Sequence, residues 1–251
     1  GSIPATIAII DGRIKIGLNS ENIQFLSSNQ SISKLSSKDI VSCILEKGSG
    51  STTVAATMVI ADLVGISVFA TGGIGGVHRN VKETLDVSAD LKQLAVSNLI
   101  VVCSGPKAIL DIPKTIELLE TLAVPLITYK TKWIPAFWSR TSGLHSSVTS
   151  NNISEISKHF TIRKSLGFNE GLLVFNPVPK KNEIKLKTLE PIICSAIERS
   201  NKENITGKAI TPYLLQKVLE NTGGKSLKAN KALILDNVKL ASRIAVSLVN
   251  Q

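Results

Sequence analysis

The stretch Gly65-Ile-Ser-Val-Phe-Ala-Thr71, together with the loop Gly72-Gly-Ile-Gly-Gly-Val-His78 that follows it, decides the fold of this chain. The first segment is apolar at nearly every position, which is typical of a strand buried inside a sheet. The second holds four glycines within five residues, so its backbone can approach a ligand closely. We therefore expect a buried strand that opens into a ligand-binding loop.

Strands and helices alternate on both sides of this stretch. Further apolar strands are predicted at 99–103, 124–129 and 171–175, with helical segments between them. This alternation predicts an α/β protein with a layered α/β/α fold and a central, mostly parallel or mixed sheet. Near the amino end, Asp11-Gly12 separates two short apolar runs and predicts a hairpin. No linker or repeat is visible, so residues 1–251 are expected to form a single domain.

The composition excludes several classes of protein. The chain has 251 residues, of which 43% are hydrophobic, enough for a sizeable aliphatic core. No apolar run reaches the roughly 18 residues of a membrane span, and no basic segment or cleavage site at the amino end indicates a signal peptide. Three cysteines without CxxC spacing argue against a disulfide framework or a zinc site. We expect a protein of the reducing, intracellular compartment, in the cytoplasm.

The formal net charge of +10 admits two interpretations. One is a solvated, lysine-rich surface, and the other is attraction to phosphorylated ligands or nucleic acid. Only 4% of the residues are aromatic, so few rings are present for bases to stack on, and the lysines are scattered rather than clustered. We expect neither a nucleic-acid partner nor a membrane partner.

The glycine-rich segments do not match the common phosphate-binding fingerprints. From Gly73 the spacing is G-x-G-x-x-H, with His78 in the place of the third glycine of a dinucleotide site. In Gly223-Gly-Lys-Ser226, Leu219 stands where a P-loop needs its first glycine. Ser49-Gly-Ser-Thr-Thr53 precedes a helix and fits either an anion site or a capped turn.

Several ionisable residues follow the glycine loop. His78 is either a structural histidine or a ligand contact. Asp86, Ser88 and Asp90 are spaced so that Asp86 and Ser88 can project into one pocket, where carboxylates near a phosphate favour a hard divalent cation such as manganese or magnesium. The other interpretation is that Asp86 or Ser88 caps a helix.

Lys107 stands just beyond the end of the predicted strand 99–103, in the turn Ser104-Gly-Pro-Lys107. Sheets of α/β proteins place their ligand sites at such strand ends. A lysine that is desolvated there has a lowered pKa, and its neutral amine becomes a nucleophile. The alternative is an ordinary solvated lysine in a turn.

Longer motifs connect these residues to a known family. They are Ser51-Thr-Thr-Val-Ala-Ala-Thr-Met58, Val68-Phe-Ala-Thr-Gly-Gly-Ile-Gly-Gly-Val-His-Arg79, Leu85-Asp-Val-Ser-Ala-Asp-Leu91, Val101-Val-Cys-Ser-Gly-Pro-Lys-Ala-Ile-Leu-Asp-Ile112, Pro135-Ala-Phe-Trp-Ser-Arg-Thr-Ser-Gly143, Asn176-Pro-Val-Pro179 and Thr222-Gly-Gly-Lys-Ser-Leu-Lys-Ala-Asn230. In this order they closely resemble the pseudouridine-5′-phosphate glycosidase family, also called indigoidine synthase A-like. The resemblance covers nearly the whole chain.

The resemblance implies an enzyme that reversibly cleaves the carbon–carbon glycosidic bond of pseudouridine 5′-phosphate, giving uracil and ribose 5-phosphate. It implies that Lys107 is the nucleophile and forms a Schiff-base adduct, and that Asp86 holds Mn²⁺ or another divalent cation. It also implies substrate-binding or pocket-lining roles for Lys34, Val54, Thr71, His78, Ser88, Ala89, Asp90 and Asn230. Members of the family form homo-oligomers, commonly trimers, so a homotrimer is expected.

One departure from the family bears on activity. Its members carry a Leu-Glu-Ser-Thr-like motif near the amino end, whose Glu protonates the departing uracil carbon as general acid. No Leu-Glu-Ser-Thr occurs in this sequence, so the chain is expected to be truncated at its amino end. General acid–base catalysis is worth about 10²–10⁴-fold in rate. The alternative is therefore an impaired or inactive homologue that binds sugar phosphates or stabilises an oligomer.

Overall fold

Two β-sheets organise the protein, which is seen in a computed structural model that describes residues 1–29 and 31–250. The smaller sheet is formed by the first four described strands, β1 Ile7–Ile10, β2 Arg13–Ile16, β3 Ser33–Leu35 and β4 Gly50–Thr52. Its order is β2-β1-β4-β3. It is mixed, because β1 is antiparallel to both neighbours while β3 and β4 are parallel.

The larger sheet is parallel throughout its described strands. These are β5 Val68–Ala70, β6 Ile100–Cys103, β7 Leu126–Tyr129, β8 Thr149–Ser150 and β9 Leu172–Phe175. Their order is β5-β6-β9-β7-β8, so β9 lies between β6 and β7 although it is the last of the five in sequence. The helices in the described part of the chain are α1 Ser20–Ser28, α2 Ile40–Leu45, α3 Val54–Leu63, α4 Val81–Thr84, α5 Ala89–Leu94, α6 Ile112–Thr121, α7 Ile153–Ser165, α8 Leu186–Lys202, α9 Ile210–Asn221 and α10 Lys225–Val249.

Helices cover both faces of the larger sheet. Along β6, Ile100 and Val102 face a core shared with α7 and α10. Val101 and Cys103 face the opposite core, which is shared with α3, α5, α6 and the smaller sheet. Successive strand residues point to opposite faces, so a run of four buried residues is what a sheet covered on both sides requires. The expected α/β/α layering and parallel central sheet are confirmed.

The smaller sheet was only half predicted. The hairpin at Asp11-Gly12 is present, and both residues have positive φ (49° and 70°), as a primed two-residue turn requires. β3 and β4 were not predicted, because strands of three residues are too short to show an alternating pattern. The segment 49–53, predicted as a loop, therefore holds a strand, and only Thr53 remains as the cap of α3.

Among the helices of residues 1–29 and 31–250, none combines the length and the apolar character that crossing a membrane would need. The longest, α10, has 25 residues, and charged side chains interrupt it repeatedly.

Candidate active site

The glycine loop after β5 is held by a buried carboxylate. Asp90, in the first turn of α5, accepts a hydrogen bond from the backbone N–H of Gly75 (2.7 Å) and another from that of Ala55 (2.9 Å). It is 5% exposed. A Cβ atom on Gly75 would lie 2.9 Å from Asp90 Oδ2 and would overlap the side chain of Ser88. Glycine is needed here because the backbone passes so close to α5.

A cavity of about 1010 Å³ opens beside this loop. Its wall combines the loop after β5, the turn after β6, the first residues of α3 and α5, and Lys34 on β3 of the smaller sheet. The site therefore lies at the carboxyl ends of parallel strands, where α/β proteins bind their ligands. All but one of the site residues named from the sequence line it: Lys34, Val54, Thr71, His78, Asp86, Ser88, Ala89, Asp90 and Lys107.

Asn230 is the exception. It is not among the residues that line this cavity. Its Oδ1 accepts a 2.6 Å hydrogen bond from Trp138 Nε1. The role of Asn230 at the pocket stays a prediction.

Lys107 lies in a turn that is fixed on both sides. Its N–H donates to the carbonyl of Ile74 (3.1 Å), and its carbonyl accepts from the N–H of Leu110 (3.0 Å). Burial lowers the pKa of the Lys107 amine; the Asp90 carboxylate opposes this effect and Lys34 adds to it. The neutral amine, which is the nucleophilic form, is favoured as a result. Cys103, close by, is no competing nucleophile, because burial raises the pKa of its thiol to about 12.

His78 and Asp86 face each other across the cavity rim. Their backbones are joined by the His78 N–H donating to the Asp86 carbonyl (3.0 Å), and Nε2 lies 3.8 Å from Oδ2. Burial lowers the pKa of His78; Asp86 opposes this, and Lys107 and Lys34 add to it. The imidazole is therefore uncharged near neutral pH, when it can both donate and accept a hydrogen bond.

The donor set around Asp86 fits a hydrated divalent cation rather than a metal enclosed by protein. The described residues contain no group of three or more His, Cys, Asp or Glu side chains able to hold a metal ion. Both oxygens of Asp90 already accept backbone hydrogen bonds. Mn²⁺ or Mg²⁺ on Asp86 would take most of its ligands from water or from a phosphate. The manganese site stays a prediction.

The helix starts in the cavity wall have their own caps. Ser88 accepts a 3.3 Å hydrogen bond from the N–H of Asp90 and caps α5, so the capping interpretation of Ser88 is confirmed. Thr53 caps α3 by accepting from the N–H of Ala56. Capping does not exclude a ligand, because Ser88 also lines the cavity.

Two supporting contacts escaped sequence reasoning. Arg79, next to His78, donates to Glu190 Oε1 and Oε2 (2.5 and 3.0 Å) and to the carbonyl of Ala108 (3.2 Å). Asn237, in the middle of α10, bonds to the ends of three strands. Arg79 stands in a family motif, but its partner Glu190 is 111 residues away. For Asn237, the available signal in the sequence was a polar residue on an apolar helix face.

The fold and this cavity define an α/β protein with a ligand site between the loops of adjacent parallel strands and a half-buried lysine in its wall. The chain belongs to the indigoidine synthase A-like family, whose sequence profile, described as "Indigoidine synthase A like protein", matches residues 1–247. Two proteins named pseudouridine-5′-phosphate glycosidase illustrate the similarity. The one from Paracoccus denitrificans is 47% identical over 99% of this chain and 82% of its own length. The one from Mesorhizobium japonicum is 48% identical over 99% and 81%.

Solved structures share the fold. The prealnumycin C-glycosynthase AlnA, crystallised with ribulose 5-phosphate, superposes with a TM-score of 0.93 at 34% identity, covering 100% of this chain and 82% of that one. An indigoidine synthase A-like protein from Thermotoga maritima gives a TM-score of 0.90 at 37% identity, covering 97% and 80%.

Proposed function

We propose that this protein cleaves the carbon–carbon glycosidic bond of pseudouridine 5′-phosphate with water, giving uracil and ribose 5-phosphate, in a reversible reaction. The names of relatives that are 45–48% identical over at least 98% of the chain support this substrate. The observation that carries the proposal is the Lys107 amine in the cavity wall, whose pKa burial lowers. Once a neutral lysine amine has bonded to C1′, its nitrogen lone pair can expel the uracil carbon and leave an iminium ion.

The proposed reaction has three steps. The amine nitrogen of Lys107 bonds to C1′ while the C1′–O4′ bond breaks, and the proton lost from nitrogen is balanced by one taken up at O4′. The nitrogen lone pair then forms the C1′=N bond as the C1′–C5 bond breaks, and C5 of uracil takes up a proton. Water adds to C1′, the C–N bond breaks, and ribose 5-phosphate and the free amine result, with release of one proton.

Charge in the cavity suits a phosphorylated sugar. Lys34 and Lys38 line it together with Lys107, against the carboxylates of Asp86 and Asp90. The amino end of α3 also opens into the cavity at Val54, and a helix amino terminus favours an anion. The N–H groups of Ala55 and Ala56 already donate to Asp90 and Thr53. We propose that Lys34 and the N–H of Val54 bind the phosphate. Mn²⁺ on Asp86, when bound, would supply positive charge for substrate oxygens.

The proton for uracil C5 has to come from a group in the cavity or from water. Among the lining residues that the structure describes, the carboxylates are Asp86 and Asp90, and both Asp90 oxygens are occupied by backbone N–H groups. This scarcity of carboxylates favours a second candidate function, in which the chain binds sugar phosphates without breaking the glycosidic bond. The two functions differ in uracil release.

The test is incubation with pseudouridine 5′-phosphate and Mn²⁺, followed by uracil assay, borohydride reduction and peptide mass spectrometry. We expect uracil release and a reduced ribose-phosphate adduct on Lys107. Lys107→Ala should abolish both, and Lys38→Ala, a lysine of the same wall, should keep the adduct. Thermal stabilisation by the substrate without uracil would establish the binding protein instead. An adduct on another lysine would refute the nucleophile assignment.

We also propose, from the family resemblance, a homotrimer in the cytoplasm that has no nucleic-acid partner. Sedimentation equilibrium should give three times the chain mass of 26.8 kDa. Retention on RNA that falls steeply with salt would contradict the last point.

A further inference from the structure

Asn237 is a polar residue on a helix face that packs against a sheet, where apolar side chains are usual. It lies in the middle of α10, in the row of buried residues that also holds Leu233, Leu240, Ala241 and Ile244, and it is 0% exposed. An amide buried among aliphatic side chains is unfavourable unless all its hydrogen bonds are made. The partners of Asn237 are therefore informative.

Those partners lie at the carboxyl ends of three adjacent parallel strands. Asn237 Nδ2 donates to the carbonyl of Thr71, after β5, at 2.9 Å, and to Oγ of Ser104, after β6, at 3.1 Å. Its Oδ1 accepts from Nδ2 of Asn176, after β9, at 3.1 Å. One side chain thus connects three strand ends that parallel pairing leaves without a common partner.

Two of these strand ends carry the candidate active site. Thr71 opens the glycine loop, and Ser104 opens the turn that ends at Lys107. The two segments are also joined directly, because the N–H of Ser104 donates to the carbonyl of Gly72 (2.9 Å). The carbonyl of Ser104 in turn accepts from Phe137 (2.9 Å), whose side chain lines the cavity. A shift of Ser104 therefore moves both the turn that ends at Lys107 and the Phe137 part of the cavity wall.

We propose that Asn237 is a positioning residue: through Thr71 and Ser104 it fixes the spacing between the glycine loop and the turn that carries the nucleophile. As a positioning role for that reaction, this inference rests on the proposed function. Asn237 itself does not line the cavity, so it acts on the substrate only through the strand ends.

The test compares Asn237→Ala with Ile244→Val, a change on the same face of α10 at an apolar side chain, which makes no hydrogen bond to the strand ends. The first readout needs no substrate: the pH midpoint of acetylation of the Lys107 amine, measured by peptide mass spectrometry. The charged groups that act on this amine, Asp90 and Lys34 together with the Cys103 thiol, are unchanged in both variants. Neutral His78 is unchanged as well.

We expect the midpoint to rise in Asn237→Ala, because a loosened turn lets water reach the amine and removes part of the desolvation that lowers its pKa. The second readout is the rate of borohydride-trapped adduct formation with ribose 5-phosphate. It should fall by about tenfold or more, since small misplacements of a nucleophile are costly, while half-saturation changes less than about threefold. Ile244→Val should match the unsubstituted protein in both.

Ser104→Ala removes the hydrogen bond between Asn237 and Ser104 and disturbs the core less. This variant tests the positioning role if Asn237→Ala does not fold. We expect shifts of the same sign and smaller size. Folded Asn237→Ala and Ser104→Ala proteins that label and trap like the unsubstituted chain would overturn the inference. If the unsubstituted protein forms no adduct, the proposed function fails, and the acetylation midpoint still decides whether Asn237 positions the turn.

Discussion

Replacement of Asp90 by alanine should destabilise the protein strongly, although the residue looks like a substrate contact in sequence. The change leaves the N–H groups of Ala55 and Gly75 without their acceptor. A hydrogen bond to a charged group contributes about 1.5–3 kcal/mol, so two give a loss of about 3–6 kcal/mol in the free energy of unfolding. At about 2–4 °C per kcal/mol for a chain of this size, Tm should fall by roughly 6–24 °C in calorimetry.

Asp90→Asn separates the loss of the hydrogen-bond acceptors from the loss of the negative charge. It keeps one acceptor oxygen, so the loss of stability should be smaller, but it removes the negative charge. The Asp90 charge raises the pKa of Lys107, opposing the effect of burial. The acetylation midpoint of Lys107 should therefore move to lower pH in Asp90→Asn, in the opposite direction to Asn237→Ala.

The control is Asp62→Ala, which removes an exposed carboxylate from α3. Its effect should stay within about 0.5 kcal/mol, as is usual for surface changes. The reasoning is refuted if Asp90→Ala costs no more than this control in urea and thermal unfolding. It is also refuted if the Lys107 midpoint in Asp90→Asn stays where it was or rises.

Three further outcomes are expected. Lys107→Met should raise Tm near pH 7, because burial destabilises the charged form of the lysine amine. This gain in Tm should vanish as the pH rises toward the pKa of lysine in the unfolded chain, about 10.4. Arg79 lowers the pKa of Glu190, so Glu190→Gln should lower the free energy of unfolding at pH 7. Because Glu190 is half exposed, the loss should be at most about 1 kcal/mol. It should disappear as Glu190 is protonated below about pH 4.3. Gly75→Ala, which overlaps Ser88, should cost about 1–3 kcal/mol in urea unfolding.

Four of the five strands of the larger sheet were predictable, because a strand covered on both faces is apolar throughout; β8, with two residues of which Thr149 is exposed, was not predicted. A strand such as Ile100–Cys103 then appears as an unbroken apolar run, and glycines mark where the backbone turns toward a ligand. The two short strands β3 and β4 were not predictable, since three residues carry no period. Lys34 lies on β3. The sequence therefore suggested the role of Lys34 through the family resemblance only, and it did not predict where Lys34 lies in the fold.

The residue types of the site were predictable from the sequence, but the roles of the individual residues were less so. The concentration of His78, Asp86, Asp90 and Lys107 after two strand ends was visible as spacing. That Asp90 ties α3 to the glycine loop was not, because Ala55 is 35 residues away and backbone N–H groups leave no mark in a sequence. Asn237 escaped for the same reason: its partners are backbone and side-chain groups more than 60 residues away.

The strand order β5-β6-β9-β7-β8 has a consequence for the order in which the protein is made. β7 and β8 leave the ribosome before β9, yet β7 joins the sheet only through β9. At about 5–20 residues per second, the newly made segment Leu126–Tyr129 can pair with β8 but waits for seconds for β9, which links it to β6. β5 and β6 pair earlier, but the Asn237 contacts that join their ends to the end of β9 form only when α10 arrives, so the pocket around Lys107 is among the last parts of the newborn chain to reach its final form.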